Sequence, residues 1–141
     1  MGAAEQQLAR MADQPITNET LSLMATVPNR VDAGHEIFKT FCVVCHMDQG
    51  QGNVGPNLTD DYWLHGGRPM DIYKTITDGV PDKGMVAWGG QLGPARVQDV
   101  TAFVLSIKGT HVAGKEPQGD LEAEGAAESP VDSTSGEEAG N

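Results

Sequence analysis

Apolar positions recur at helical spacing in three places along this chain. Val97, Val100, Val104 and Ile107 form the longest stripe, with Phe103 beside it. The spacing predicts a helix over 94–108, opened by Pro94 and stopped by Gly109. Ile72, Tyr73 and Ile76 form a shorter stripe between Pro69 and Gly79, which suit the first turn and the end of a second helix. Gly34, Phe38 and Cys42 recur every four positions and share one face of a third helix. Asp32 is its candidate cap, and it runs to about Phe41.

The segments between these helices read differently. Residues 49–57 are rich in glycine and asparagine, and 79–93 hold five glycines and one proline; both are expected to be loops. Asp60–Leu64 is expected to make one helical turn. Residues 1–29 form a leader with a short helix at Glu5–Ala12, and Pro15 and Pro28 exclude a long one. Its Leu21, Leu23 and Met24 are apolar enough to pack on a neighbour. The expected fold is all-α: three main helices and a short turn over residues 30–110.

After Thr110 the composition changes to Gly, Ala, Ser, Glu and Pro, with almost no large apolar residue. Residues 111–141 are expected to be a disordered acidic tail, since so little apolar surface cannot offset the entropy of ordering. Charge follows the same division. Of the net −11, residues 1–29 carry −2, 30–110 carry −2 and 111–141 carry −7. No basic face exists for phosphate, which argues against nucleic acid as a partner.

The 81 residues from 30 to 110 can bury only a marginal core. The chain has seven aromatics, Phe38, Phe41, Tyr62, Trp63, Tyr73, Trp88 and Phe103, so a large flat cofactor would help to fill the interior. No stretch approaches the roughly 20 apolar residues of a membrane helix, and the start, MGAAEQQLAR, shows no apolar signal core. A removed signal or anchor is left open.

The only cysteines are Cys42 and Cys45, too few for a zinc ribbon. With His46 they form Cys42-Val43-Val44-Cys45-His46, the heme attachment signature. Two thiols at this spacing reach the two vinyl groups along one porphyrin edge. The histidine that follows is held under the ring, where Nε2 can bind iron. The competing reading is a redox Cys-x-x-Cys followed by a chance His. It needs a thioredoxin-like βαβ context that the helical pattern does not supply.

At this point the chain resembles the class I cytochrome c family over about residues 31–108. Gly34-x-x-x-Phe38-x-x-x-Cys42 is similar to the family's first helix. There the glycine admits a close crossing by the last helix, and Phe103 stands where the family keeps its partner aromatic. Gly55-Pro56-Asn57-Leu58 resembles the loop after the heme histidine. The resemblance implies that the Pro56 carbonyl accepts a hydrogen bond from Nδ1 of His46, and that Leu58 packs on the ring. The run from Asn57 to Gly67 narrows the likeness to cytochrome c domains of bacterial C-type heme–copper oxidases. Those subunits usually carry two hemes and a membrane helix; this chain has one Cys-x-x-Cys-His and no such helix.

The sixth iron position has several candidates by residue type: Met85, His65, Met70, His35 and His111. Met47 follows His46 directly and cannot reach the opposite face. The resemblance favours Met85, because Gly84-Met85-Val86-Ala87-Trp88 lies where the family places its axial methionine. Val86 stands in place of the usual proline. Trp88, Tyr62 and Trp63 could line the heme or serve as core.

The expectation is therefore one covalent heme c with His46 and Met85 as iron ligands. Cys42, Cys45, Pro56, Leu58 and Trp88 complete the cofactor site. Such a chain is an electron carrier, not an enzyme, in a periplasmic respiratory chain. Its partners would be a quinol-oxidising complex and a membrane terminal oxidase. The alternative is a heme-based enzyme or a redox or gas sensor with a displaceable distal ligand.

Overall fold

The computed structural model describes residues 2–11 and 14–121. Its elements in chain order are α1 (Ala3–Arg10), α2 (Asn18–Met24), α3 (Pro28–Phe41), the single turn α4 (Val43–His46), β1 (Tyr62–Trp63), α5 (Pro69–Asp78), a 3-10 turn (Pro81–Lys83), α6 (Gly89–Ile107) and β2 (Asp120–Leu121). The expected all-α fold with three main helices is present as α3, α5 and α6.

The contact between α3 and α6 organises the molecule. Gly34 is buried where they cross, and a Cβ there would lie 1.9 Å from the Asp99 carbonyl oxygen. Only hydrogen fits. The close approach lets Phe38 and Phe103 pack with ring centroids 5.0 Å apart. Around them Trp63, Ile72, Ile76, Leu92, Val97, Val100 and Val104 complete the main core. Arg30 Nη1 donates to Asp99 Oδ1 at 3.0 Å across the same crossing. Burial pushes the Asp99 carboxyl up from its ordinary value, and Arg30 opposes that rise.

The leader packs on the helical domain. Leu21 and Met24 are buried against Ala102 of α6, with Leu8, Ile16, Met70, Tyr73 and Leu105 around them. Asn18 also accepts the Met70 amide at 2.8 Å, satisfying a donor in the first turn of α5.

Four local expectations change. First, α3 begins at Pro28, with Val27 as N-cap. Proline costs nothing at the first helical position, where its missing N–H has no partner, so Asp32 sits inside the helix and does not cap it. Second, Asp60–Leu64 is not a helical turn. Tyr62 and Trp63 pair antiparallel with Leu121 and Asp120. Third, 79–93 is not all loop. Its end forms the first turn of α6, interrupted at Gly93, which has φ 79° and ψ 162°. Fourth, residues 111–121 are packed on the domain and are not part of a free tail: His111 N donates to Thr59 O at 2.8 Å and Lys115 N to Gln51 O at 2.9 Å. Residues 122–141, the rest of the expected tail, lie outside the described residues. Among the described residues, no helix is long and apolar enough to cross a membrane.

Candidate functional site

Cys42 ends α3 and starts α4. Its N–H donates to Phe38 O at 2.8 Å, and its carbonyl accepts from His46 N at 3.0 Å. The turn therefore continues the main helix with a change of direction, presenting two thiols and an imidazole together. The two cysteines form no disulfide with each other. Burial, with a smaller contribution from Cys45, pushes the Cys42 thiol up to about 11. Val44, between them, is 78% exposed, so one side of the pentapeptide faces solvent while Cys42 and Val43 pack on the core.

The loop after His46 folds back over it. Gly52 N donates to His46 O at 2.8 Å, Gly55 N to Cys45 O at 2.8 Å and Leu58 N to Gly50 O at 2.6 Å. These bonds bring the Pro56 carbonyl 2.9 Å from His46 Nδ1. An N–H at Nδ1 donates there, which assigns the tautomer and leaves Nε2 as the lone-pair nitrogen. Gly55 lies flat on the imidazole, since a Cβ would come within 2.6 Å of Cε1. His46 is 9% exposed. Burial disfavours its charged form, the Pro56 bond opposes this, and the Lys115 charge adds to it, leaving the pKa lowered. A neutral, oriented imidazole is what a metal ligand requires.

Met85 lies in a tight reverse turn. Val80 and Met85 exchange backbone hydrogen bonds at 2.9 and 3.0 Å, around Gly84 at φ 86°. Gly79 lets this turn close on α5, because a Cβ there would meet Ala87 N and Val86 C at 2.6 Å. Trp88 N then donates to Ile76 O at 3.0 Å, and the Trp88 ring packs on Phe41 with centroids 5.1 Å apart. Cys42, Leu58, Met85 and Trp88 all pack against the same core cluster.

Three of the other candidate ligands are engaged elsewhere, while His65 lines a surface pocket with Gly79, Val80 and Pro81 of the turn that carries Met85. His35 stacks on Phe103 at 4.5 Å. Met70 packs with Leu21 and Met24. His111 Nε2 pairs with Asp61 at 3.0 Å, and His65 is exposed.

The residues present fit an iron porphyrin. Two cysteine sulfurs stand beside an imidazole whose Nδ1 is committed to Pro56, and the Met85 thioether packs on the same core. Trp63 Nε1 and Thr77 Oγ1 are buried with no hydrogen-bond partner among the described residues. Such orphaned donors call for an acceptor, and the carboxylate of a propionate would supply one. The residue type left Trp63 between cofactor and core; the structure buries it in the main core with its N–H unpartnered among the described residues.

Comparison with known proteins agrees. The family described as cytochrome c oxidase, cbb3-type, subunit III matches residues 29–104. The cbb3-type cytochrome c oxidase subunit FixP of Sinorhizobium medicae is 36% identical over 115 residues, covering 75% of this chain and 38% of that protein. Subunit CcoP of Cereibacter sphaeroides is 35% identical over 128 residues, covering 80% of this chain and 42% of that protein. The chain thus spans well under half the length of these relatives. Among solved structures, cytochrome cL from Hyphomicrobium denitrificans superposes with TM-score 0.54 at 25% identity, covering 76% of this chain and 60% of that one. Cytochrome cL from Methylophaga aminisulfidivorans shares the fold with TM-score 0.53 at 23% identity, covering 77% and 67%. The fold is that of class I cytochromes c, and the chain belongs to the cbb3-type cytochrome c oxidase subunit III family.

Proposed function

We propose that this chain is a monoheme electron carrier that passes single electrons to a membrane terminal oxidase. The observation that carries the reading is the His46 arrangement. Its imidazole is buried, its Nδ1 is 2.9 Å from the Pro56 carbonyl, and the two cysteines of the attachment signature precede it. In this reading Cys42 and Cys45 hold one heme c covalently. His46 ligates iron through Nε2, and Met85 supplies the sixth ligand from the loop before α6. When bound, the heme supplies a reversible one-electron change at iron.

The protein's part is to keep that change cheap. Pro56 keeps the Nδ1 proton on His46 in both redox states, so no proton need move. Gly55 and the core behind Phe38 fix the ring plane. The tight turn around Gly84 limits how far Met85 can swing. Leu58 and Trp88 exclude water from the core side, while exposed Val44 and Val54 leave an apolar rim where a partner can approach.

Outer-sphere transfer needs no substrate pocket and no acid–base pair. The electron source in this reading is a quinol-oxidising complex, and the location is periplasmic or otherwise extracytoplasmic, where heme c is attached. The division into an N-terminal extension (1–29), a cytochrome domain (30–110) and an acidic tail belongs to the same proposal. The tail is now restricted to the segment beyond 121.

The test is mass and optical spectroscopy of protein from a host that matures c-type cytochromes. One heme per chain surviving denaturation is expected, with the sulfur-to-iron charge-transfer band of a His/Met center. Met85→Ala should abolish that band, lower the potential and admit carbon monoxide. Loss of the band in His65→Ala instead would overturn the ligand assignment. Ready carbon monoxide binding by the unaltered reduced protein would point to a sensor or an enzyme.

A further inference from the structure

After α6 the chain turns back and crosses the loop that covers His46. Residues 111–115 reach it through hydrogen bonds. Asn57 Nδ2 donates to Val112 O at 3.1 Å and to Lys115 O at 3.2 Å. Its Oδ1 accepts from Thr59 N at 2.8 Å and Thr59 Oγ1 at 2.6 Å. Val112 N donates to Thr59 Oγ1 at 2.9 Å. Asn57 follows Pro56 directly, so this network grips the residue next to the carbonyl that holds the imidazole.

Lys115 is tied down at three atoms. Its N donates to Gln51 O at 2.9 Å, its carbonyl accepts from Asn57, and its Nζ donates to Val54 O at 3.1 Å. Val54 precedes Gly55, on whose face the His46 ring lies. A surface lysine normally sweeps a wide arc in water. This one is half-buried, and its ammonium is fixed on the His46 side of the site.

Resting on His46 as the iron ligand, we propose that Lys115 is a positioning residue of the proximal side whose fixed cation raises the reduction potential of the bound iron. Oxidised iron carries one more positive charge than reduced iron. A nearby cation therefore disfavours the oxidised form. The tethers to Gln51, Asn57 and Val54 keep the charge from moving away.

The experiment is redox titration of the heme-loaded chain with Lys115→Arg, Lys115→Gln and Lys115→Glu. Spectra and bound heme are checked first, so a failure of the heme reading shows there, before any potential is compared. With heme and ligands intact, the reduced-to-oxidised ratio at a fixed poise should be near wild type in Lys115→Arg. It should fall several-fold in Lys115→Gln and further in Lys115→Glu; a tenfold fall corresponds to about 59 mV. Hydrogen exchange at the Gly52, Gly55 and Leu58 amides reports whether the loop stays closed. Wild-type potentials in Lys115→Gln and Lys115→Glu would overturn the proposal. So would equal shifts in Lys115→Arg and Lys115→Gln, because the effect would then follow shape and not charge.

Discussion

Replacing Gly34 by Ala tests the crossing on which the site is built. The new Cβ would start 1.9 Å from Asp99 O, 2.6 Å from Asp99 C and 3.0 Å from Phe103 Cβ. Real Cβ contacts do not fall below 3.0 Å, so α3 must retreat from α6 by at least 1.1 Å. The obstacle is a backbone carbonyl inside a helix, which cannot swing aside as a side-chain end can. A gap of roughly 1 Å forfeits up to about half of each dispersion contact across it, and Phe38, Val100 and Phe103 lie there. Overpacking of this kind costs about 3 kcal/mol or more, offset by about 1 kcal/mol of improved helix propensity. The expected net loss is about 2–3 kcal/mol. Gly90 is the matched control: it too is helical, with nothing within 4 Å of an added Cβ. Gly90→Ala should gain up to about 1 kcal/mol. Urea denaturation of both heme-loaded variants, followed by helical circular dichroism and heme absorbance, measures the difference. Because α3 ends in Cys42, Gly34→Ala should also lower the yield of heme-loaded protein. If the two variants unfold within about 1 kcal/mol of each other, the crossing is not the constraint described.

Further outcomes follow from the site and its supports. Gly55→Ala should displace the His46 ring, through the 2.6 Å clash at Cε1, and destabilise the protein by about 1–3 kcal/mol; nuclear magnetic resonance of the His46 Nδ1 proton should show its bond to Pro56 weakened. Asn57→Ala should cost about 2–4 kcal/mol in urea denaturation, since it orphans the buried Thr59 amide and two strap carbonyls. For Asp99, a folded pKa raised by burial means that its contribution is fully present at acid pH and is lost as pH rises through the folded value. Asp99→Asn should therefore gain stability relative to wild type as pH climbs from 3 to 7, measured by urea denaturation across that range; a difference that shrinks over that interval would contradict the assignment.

Much of this architecture can be read in the residues. Cys42, Cys45 and His46 announce their chemistry by spacing, and Gly34, Phe38 and Phe103 announce the helix crossing by period. Pro69 and Gly79 bracket α5 because both residues have backbone preferences that show locally. What escaped depends on partners distant in sequence. Tyr62 and Trp63 form a strand only because Asp120 and Leu121 arrive beside them, and two residues carry no periodicity. Residues 111–115 are held by hydrogen bonds to Asn57, Thr59 and Gln51 and not by apolar burial, so hydropathy reads them as tail. Val27 and Pro28 start α3 through backbone geometry, while Asp32 resembled a cap by residue type alone. Trp63 shows its unpartnered N–H only after the chain has closed around it.

The separation between Gly34 and Asp99 also orders events during the protein's own synthesis. The segment carrying both cysteines and His46 leaves the ribosome well before α6, because residues 47–88 lie between them. Until α6 arrives, α3 has no surface on which to bury Phe38. The attachment peptide is then part of an open chain, reachable from all sides. Once α6 docks, Cys42 faces the core and the loop closes over His46. If heme c is attached outside the cytoplasm as proposed, the attachment machinery meets its easiest target in the just-translocated chain, and the crossing at Gly34 acts as the latch that ends its opportunity.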